Sequence, residues 1–306
     1  MRLKRLAVSL LAAALLTAPA RAAFQSPVSS PEQAAMGYNS LSSRPGSATL
    51  FANPAQIAGM AQPDAYFMYD QLYAGMNGVG AIGESLISAG APTRWGSLGV
   101  GLGMLHAGGL YEERTLALTY ARRFGDRVQL GVTGKQLYHS YLINGDPLAA
   151  SDPVFQNGHA ASALSVDFGA VVKVAEPVRV GLAVRNANSP DLGLDSVDRV
   201  PREVQGAVAY DFPAAKRLRL TADVSYRGGP TVAGSDRVTP GVGVEKGFPG
   251  DRFVLRFGLT PLELTAGFGL RWGMFGVDYA LVLRRTLLDG NVGTHMLGLR
   301  VLFGGG

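Results

Sequence analysis

Apolar and polar residues alternate one by one along much of the chain. The stretch from Arg217 to Arg227 is the cleanest case, because every second residue is apolar: Leu218, Leu220, Ala222, Val224 and Tyr226. Successive side chains of a β-strand point to opposite faces, so this stretch predicts a strand with one apolar and one charged face. The pattern recurs from Leu262 to Trp272.

Fourteen candidate strands of this kind follow one another from about Asp64. Their predicted ranges are 64–74, 78–88, 94–106, 110–123, 127–142, 160–173, 177–187, 202–212, 216–227, 237–248, 251–260, 262–272, 276–285 and 293–303. Several reach the roughly nine to eleven residues that a membrane-spanning strand needs, whereas strands of globular proteins usually have about five or six. The fold class predicted is all-β: a transmembrane antiparallel β-barrel of about 14 strands. A water-soluble sandwich is the alternative that alternation alone leaves open.

The lengths of the connections favour the barrel. Outer-membrane barrels alternate short periplasmic turns with longer outer loops. If the first strand runs outward, the turns at 125–126, 175–176, 213–215 and 249–250 are periplasmic and short. The connections at 144–159, 188–201, 228–236 and 287–291 then lie outside, and only 260–261 is short there.

The first 22 residues have the pattern of a cleaved signal peptide. Three basic residues precede an apolar run from Leu6 to Leu16, and Ala20-Arg21-Ala22 offers small residues for cleavage before Ala23. A membrane anchor is the alternative, but the apolar run is too short for one. We therefore expect export to the outer membrane of a Gram-negative bacterium, with lipid as a partner.

Charge and residue usage exclude several function classes. Cleavage would remove four of the 28 basic residues and leave 24 against 23 acidic ones, so the basic balance gives no reason to expect nucleic acid. The absence of cysteine excludes thiolate metal sites. The four histidines lack metal-ligand spacing, and the adjacent His139 and Ser140 point to opposite faces of a strand. We predict no catalytic residue, no metal site and no cofactor.

Residues 23–62 differ from the barrel predicted for 63–306. They are rich in Ser, Pro, Gly and Ala, and they lack long alternation. We predict that they form a hatch inside the lumen, because a wall of 14 strands is wide enough to need a plug unless it conducts water. Asn53, Pro54 and Ala55 form the hatch motif, in which Asn53-Pro54 favours a turn. Room for the hatch is predicted where the inward face carries only glycine: Gly99, Gly101 and Gly103.

The two faces of the predicted wall differ in chemistry. The outward set is apolar, with aromatic residues expected at the membrane interfaces: Trp95, Tyr210, Tyr226 and Trp272. The inward set carries charges of both signs: Asp167, Arg179, Arg185, Glu203, Arg219, Asp223, Glu245, Arg256, Glu263, Arg271, Asp278, Arg284 and Arg300. Buried charges need partners, so we predict a charge-laddered interior, and a substrate path is the alternative. The pairs expected are Arg219 with Glu203, Arg256 with Glu263, and Arg271 with Asp278.

The stretch from Gly46 to Met60 resembles the amino-terminal segment of the FadL-type outer-membrane transporter superfamily. Asn53-Pro54-Ala55, preceded by Ala48-Thr49-Leu50-Phe51, carries this likeness. The shorter PorV/PorQ branch resembles the chain in overall length and in two later patterns: Pro201-Arg202-Glu203 with Gly206 and Tyr210, and Gly241-Val242-Gly243-Val244-Glu245. The resemblance implies a fourteen-stranded barrel with its amino-terminal segment inside as a hatch.

The two branches imply different functions. The fatty-acid transporters imply passage of hydrophobic molecules with lateral exit through a kinked strand. The PorV branch implies a secretion system, with exported or cell-surface proteins as partners bound by the loops. Transport of a small hydrophobic molecule and partner binding therefore stay open. A third hypothesis, an open porin, is disfavoured by the mixed lumen charge and the predicted hatch.

Overall fold

A computed structural model describes residues 24, 29–75, 82–143, 147, 151–213, 217–228, 238–285 and 292–304. The signal peptide predicted at 1–22 lies outside these residues. The strands, in chain order, are β1 (Asp64–Leu72), β2 (Ile82–Thr93), β3 (Gly96–Ala107), β4 (Tyr111–Phe124), β5 (Val128–Tyr141), β6 (Ala160–Ala175), β7 (Val178–Arg185), β8 (Glu203–Asp211), β9 (Leu218–Arg227), β10 (Val238–Gly247), β11 (Phe253–Leu259), β12 (Glu263–Trp272), β13 (Phe275–Arg284) and β14 (Thr294–Leu302).

The strands form one closed antiparallel barrel. Each strand pairs with its neighbours in sequence, and β1 pairs with β14 from Asp64 opposite Leu302 to Gln71 opposite His295. Closure confirms the predicted barrel and excludes the sandwich. Over the described part of the wall, a shift of register occurs at one place, between Lys173 and Ala175. No helix in the described part of the chain is long and apolar enough to cross a membrane.

Thirteen strands lie where the alternation predicts them, but the second prediction was wrong in position. It gave 78–88, whereas β2 runs from Ile82 to Thr93. Its alternation is weak, and it contains Pro92, which lacks the N–H that a ladder needs. Pairing with β3 overrides this local signal, since Ile82 lies opposite Ala107 and Thr93 opposite Gly96.

The longest connections all lie at one end of the barrel, although that end also carries two connections of three residues. One end carries the connections 94–95, 125–127, 176–177, 212–217, 248–252 and 273–274. The opposite end carries 73–81, 108–110, 142–159, 186–202, 228–237, 260–262 and 285–293. We call these the short-turn end and the long-connection end. Since β1 begins and β14 ends at the short-turn end, the parity predicted from the sequence is confirmed.

Side-chain exposure separates the two faces of the wall. Leu118 is 66% exposed, whereas its neighbour Thr119 is fully buried; Leu264 at 53% and the buried Thr265 repeat the contrast. A continuous outward band of such residues suits lipid, because water-soluble proteins rarely expose large apolar patches. The predicted interface residues also lie outward near strand ends: Trp95, Tyr210, Tyr226 and Trp272.

A charge placed in the middle of the outward band should destabilise the barrel. We expect Leu118→Arg to lower the free energy of unfolding by about 2–4 kcal/mol, because the cost of arginine on the lipid face is greatest at the bilayer midplane. Leu110→Arg is the control, since Leu110 is exposed in the connection 108–110 and should cost about 0–1 kcal/mol. Urea titration in lipid vesicles measures both. Equal costs at the two positions would contradict the assignment of the outward face to lipid.

Candidate functional site: the filled lumen

Residues 29–60 lie inside the barrel, and we call them the lumen segment. They contain the helix α1 (Pro31–Ala34) and two 3₁₀ turns, Ser47–Thr49 and Pro54–Gly59. Most of their side chains are fully buried. Helix α1 packs against β12, β13 and β14, whereas the Pro54–Gly59 turn packs against β2 to β6. The lumen segment therefore reaches opposite sides of the wall.

Helix α1 is short but well defined by its first residues. Ser30 caps it: the Gln33 backbone N–H donates to Ser30 Oγ, and Ser30 N–H donates to Gln33 Oε1. This reciprocal capping box, with Pro31 in the first turn, fixes where the helix begins. The geometry directs Glu32 towards the wall formed by β11 to β14.

Glu32 lies among three wall arginines. Arg271 Nη2 lies 2.8 Å from Glu32 Oε1, Arg256 Nη2 lies 3.5 Å from the same oxygen, and Arg300 Nη2 lies 3.7 Å from Oε2. The backbone N–H of Arg44 also donates to Oε2 at 3.1 Å. Burial by itself would raise the pKa of Glu32, but Arg300, Arg256 and Arg271 outweigh it and hold the pKa well below its usual range. Glu32 is therefore an ionised anchor of the lumen segment.

The anchor continues into the wall through Arg256, whose side chain is 1% exposed. Its Nε donates to Glu245 at 2.8 Å, and its Nη1 donates to Asp278 at 2.7 Å. Arg256 thereby joins β10, β11 and β13 to α1. A buried guanidinium needs this number of acceptors, because an unpaired buried charge is costly.

A second anchor lies across the lumen, at the predicted hatch motif. Asn53 caps the Pro54–Gly59 turn by accepting a hydrogen bond from Ala55 N–H at 3.1 Å. Its Nδ2 donates to the main-chain oxygens of Ala170 and Leu182 at 3.4 and 3.3 Å. The turn is thus bonded directly to the backbone of β6 and β7.

Glycines in the wall make this close approach feasible. Gly131 and Gly169 lie opposite each other on β5 and β6, and a Cβ on Gly169 would collide with Asn53 Oδ1. A Cβ on Gly131 would lie 2.5 Å from the carbonyl carbon of Pro54 and would also collide. Gly101, one of the glycines predicted to leave room in the lumen, lies against Phe51. The wall lacks side chains where the lumen segment needs space.

Polar side chains fix the middle of the lumen segment. Arg185 Nη1 donates to Ala52 O at 2.8 Å, and Gln205 Nε2 donates to Tyr38 O at 3.0 Å. Asn39 Nδ2 donates to Asp223 at 3.2 Å. These bonds satisfy buried polar groups of a segment that has little regular secondary structure.

The thirteen predicted lumen charges fall into two groups by their contacts. Six contact the lumen segment directly: Arg185, Arg219, Asp223, Arg256, Arg271 and Arg300. Seven pair within the wall and its connections: Asp167, Arg179, Glu203, Glu245, Glu263, Asp278 and Arg284.

Two of the three expected pairs were wrong. Arg219 pairs with Asp211 at 2.6 Å and not with Glu203. Arg256 pairs with Glu32, Glu245 and Asp278, whereas Glu263 pairs with Arg284 at 2.9 Å. Only Arg271 and Asp278 approach as expected, at 3.7 Å. Partner choice depends on strand register, and alternation alone does not fix register.

Beyond the lumen segment, the long-connection half of the barrel holds a chamber made of three adjoining cavities. Their volumes are about 60, 130 and 250 Å³, and Glu203 borders all three. Phe51 and Tyr38 of the lumen segment form part of its floor. Charged, hydroxyl and apolar side chains all line it.

Sequence reasoning missed several residues of this site. Glu32 lies where no periodicity marks an inward face. Asp70 and Glu84 lie in the two strands with the weakest alternation, and both are buried in the lumen. Glu113 and Lys135 lie on the inward faces of β4 and β5, so strict alternation along those strands would have included them.

Comparison with known proteins identifies the fold. No protein-family model matches the chain, and no curated protein matches its sequence. Three solved structures match 92% of this chain over their full length: the Ralstonia pickettii toluene transporter TbuX (TM-score 0.62, 15% identity), the P. putida toluene transporter TodX (0.63, 12%) and a Pseudomonas aeruginosa FadL homologue (0.63, 14%). At these identities the likeness establishes a FadL-type barrel fold. The PorV/PorQ branch is not among these matches.

Removing the charge of Glu32 should loosen the lumen segment. We expect Glu32→Gln to cost about 3–5 kcal/mol, because the arginines around it would lose their shared carboxylate in a buried site. Hydrogen exchange of residues 29–60 is the measurement, and faster exchange there than in the wall is the expected result. Glu176→Gln is the control, since Glu176 is 89% exposed and pairs only with Lys173. Unchanged protection of the lumen segment in Glu32→Gln would refute the anchor.

A methyl group at Gly169 should displace the second anchor. Gly169→Ala puts a Cβ against Asn53, so we expect destabilisation of about 1–3 kcal/mol with increased protease cleavage near Asn53. Gly134→Ala is the control, because no atom lies within 4 Å of a Cβ at that position. If both variants resist protease like the unmodified protein, the close packing at Gly169 does not hold the segment.

Proposed function

We propose that the protein is an outer-membrane transport barrel that passes small, largely apolar compounds, with the lumen segment as its hatch. The observation that carries the proposal is the filled lumen: the segment occupies the short-turn half and leaves the chamber in the long-connection half. A fold shared with two toluene transporters and a FadL homologue supports the same function.

Transport through this barrel requires the hatch to move. The resemblance to fatty-acid transporters implies lateral exit through a kinked strand, but the register shift found in the described wall, between Lys173 and Ala175, lies at the short-turn end of β6 and away from the chamber. The short-turn half is filled by the lumen segment. A compound that enters the chamber therefore leaves by displacing that segment, whose anchors are Glu32 and Asn53.

The cellular setting follows from the sequence. Residues 1–22 are the proposed export signal, and cleavage before Ala23 leaves the lumen segment near the new amino terminus. The short-turn end would then face the periplasm, as short turns do in bacterial barrels. An open porin conflicts with the filled lumen. No contact of the described residues favours a secretion-system or cell-surface protein partner.

Deleting the hatch should open the barrel. We expect the full-length protein to be closed in planar bilayers and a variant lacking residues 29–60 to conduct, because the deletion removes the segment that fills the lumen. Glu32→Gln should give intermittent openings, since only one anchor is weakened. The control is Glu176→Gln, which should stay closed.

Uptake of radiolabelled toluene into proteoliposomes tests the cargo class. Full-length protein should accelerate uptake over protein-free vesicles, and Gly169→Ala should alter the rate. A large steady conductance from the full-length protein would overturn the hatch. Toluene uptake equal to that of protein-free vesicles would overturn transport of apolar compounds.

A further inference from the structure

Each basic residue that borders the chamber pairs with a carboxylate, and Glu203 is shared by two arginines. Lys135 lies 2.8 Å from Asp167, and Arg284 lies 2.9 Å from Glu263. Glu203 pairs with Arg185 at 2.6 Å and with Arg227 at 3.4 Å. No other lysine or arginine borders the three cavities among the described residues. The chamber therefore offers no free cation to an anionic ligand.

Three acidic residues on the chamber wall have no such counter-ion. Asp70 lies opposite Glu84 on β1 and β2, and Leu105 of β3 lies opposite both Glu84 and Glu113. The carboxylates thus form a row across four adjacent strands on the inward face. Within the described chain, no lysine, arginine or histidine forms an ion pair with any of them.

Hydrogen bonds partly satisfy two members of this row. Asp70 Oδ1 accepts from the Glu84 backbone N–H at 2.8 Å. Glu113 Oε1 accepts from Phe24 N–H at 2.7 Å and from Tyr111 Oη at 2.8 Å. These donors are neutral, so no cation among the described residues pairs with the row.

Glu84 is the independent indication of a ligand. It is only 5% exposed, and its carboxylate has no hydrogen-bond partner among the described residues. Its side chain borders two of the three cavities, those of about 60 and 250 Å³. A buried carboxylate without a donor is costly unless something in the adjacent space pairs with it.

Apolar groups stand beside the acidic row. Phe51, Met104 and Leu137 border the smaller cavity, and Leu72 and Met296 border the larger. A hydrocarbon body can therefore lie against these side chains while a charged end reaches Glu84. The chamber therefore combines apolar side chains with a row of carboxyl groups that have no counter-ion among the described residues.

We infer that the chamber binds amphipathic organic cations, in which a primary ammonium pairs with Glu84 and its neighbours and a short hydrocarbon body packs against Phe51 and Met104. The ammonium supplies the hydrogen-bond donors that Glu84 lacks and neutralises charge shared with Asp70 and Glu113. This inference rests on the proposed transport function and narrows its substrate class.

Isothermal titration calorimetry of the full-length protein in detergent tests the inference at neutral pH. The probes are hexylammonium, 1-hexanol and hexanoate, which share one hydrocarbon chain. We expect hexylammonium to bind roughly tenfold or more tightly than 1-hexanol, because a charge-assisted hydrogen bond in a buried site adds that much, and hexanoate to bind most weakly. Equal affinities for hexylammonium and 1-hexanol would overturn the inference without any variant.

Variants locate the effect. Glu84→Gln should remove most of the preference for hexylammonium over 1-hexanol. Glu112→Gln is the matched control. It removes the same carboxylate, but Glu112 lies on the opposite face of β4 from Glu113. Partitioning of the probes into detergent affects both variants equally and therefore cancels when they are compared. A preference that survives in Glu84→Gln would overturn the site. These binding results stay separate from toluene uptake, so a failure of transport and a failure of cation recognition give different patterns.

Discussion

The interior of this barrel depends on pairing the charge of Glu32 with arginines from the wall. A segment without regular secondary structure can lie in a lumen only if its polar groups and charges find partners there. Glu32 provides one carboxylate to Arg256, Arg271 and Arg300, and Arg256 extends the network to Glu245 and Asp278. Without this carboxylate, three strands would present like charges to one another in a buried site.

The two anchors of the lumen segment rest on different physics. The first is ionic, and removing one partner leaves the other charges unpaired in a buried site. The second is steric and hydrogen-bonded: Asn53 reaches main-chain oxygens of β6 and β7 only because Gly131 and Gly169 leave the space. Ionic contacts between separated groups weaken gradually with distance, whereas close packing is lost at once. In the proposed hatch mechanism, the lumen segment pivots about one side of the lumen while the other side is released.

Sequence alone predicted the wall well and its interior only in part. Alternation determines the face of each side chain, so the strands, their outward residues and the inward charges followed from it. It does not determine register, which is why Arg219 was assigned to Glu203 although Asp211 is its partner. Glu32 lies in a segment without alternation of apolar and polar residues. Glu84 lies in a strand whose small residues and Pro92 weaken that alternation. The interior was predictable only where a regular strand carried it.

The two halves of the lumen differ in charge balance. In the proposed transport mechanism, this difference links binding of a compound to movement of the lumen segment. In the short-turn half each anchor residue has a partner, whereas the row at Glu84 in the chamber has no counter-ion among the described residues. The lumen segment contributes Tyr38 and Phe51 to the chamber, so a bound compound touches the element that must move.

A ligand shifts a conformational equilibrium only through contacts that differ between the two states. Contacts with Phe51 change whenever the segment moves, whereas contacts with Glu84 on the wall do not. In the proposed transport mechanism, the carboxyl groups select the compounds that enter the chamber, and the contact with Phe51 couples their binding to movement of the lumen segment.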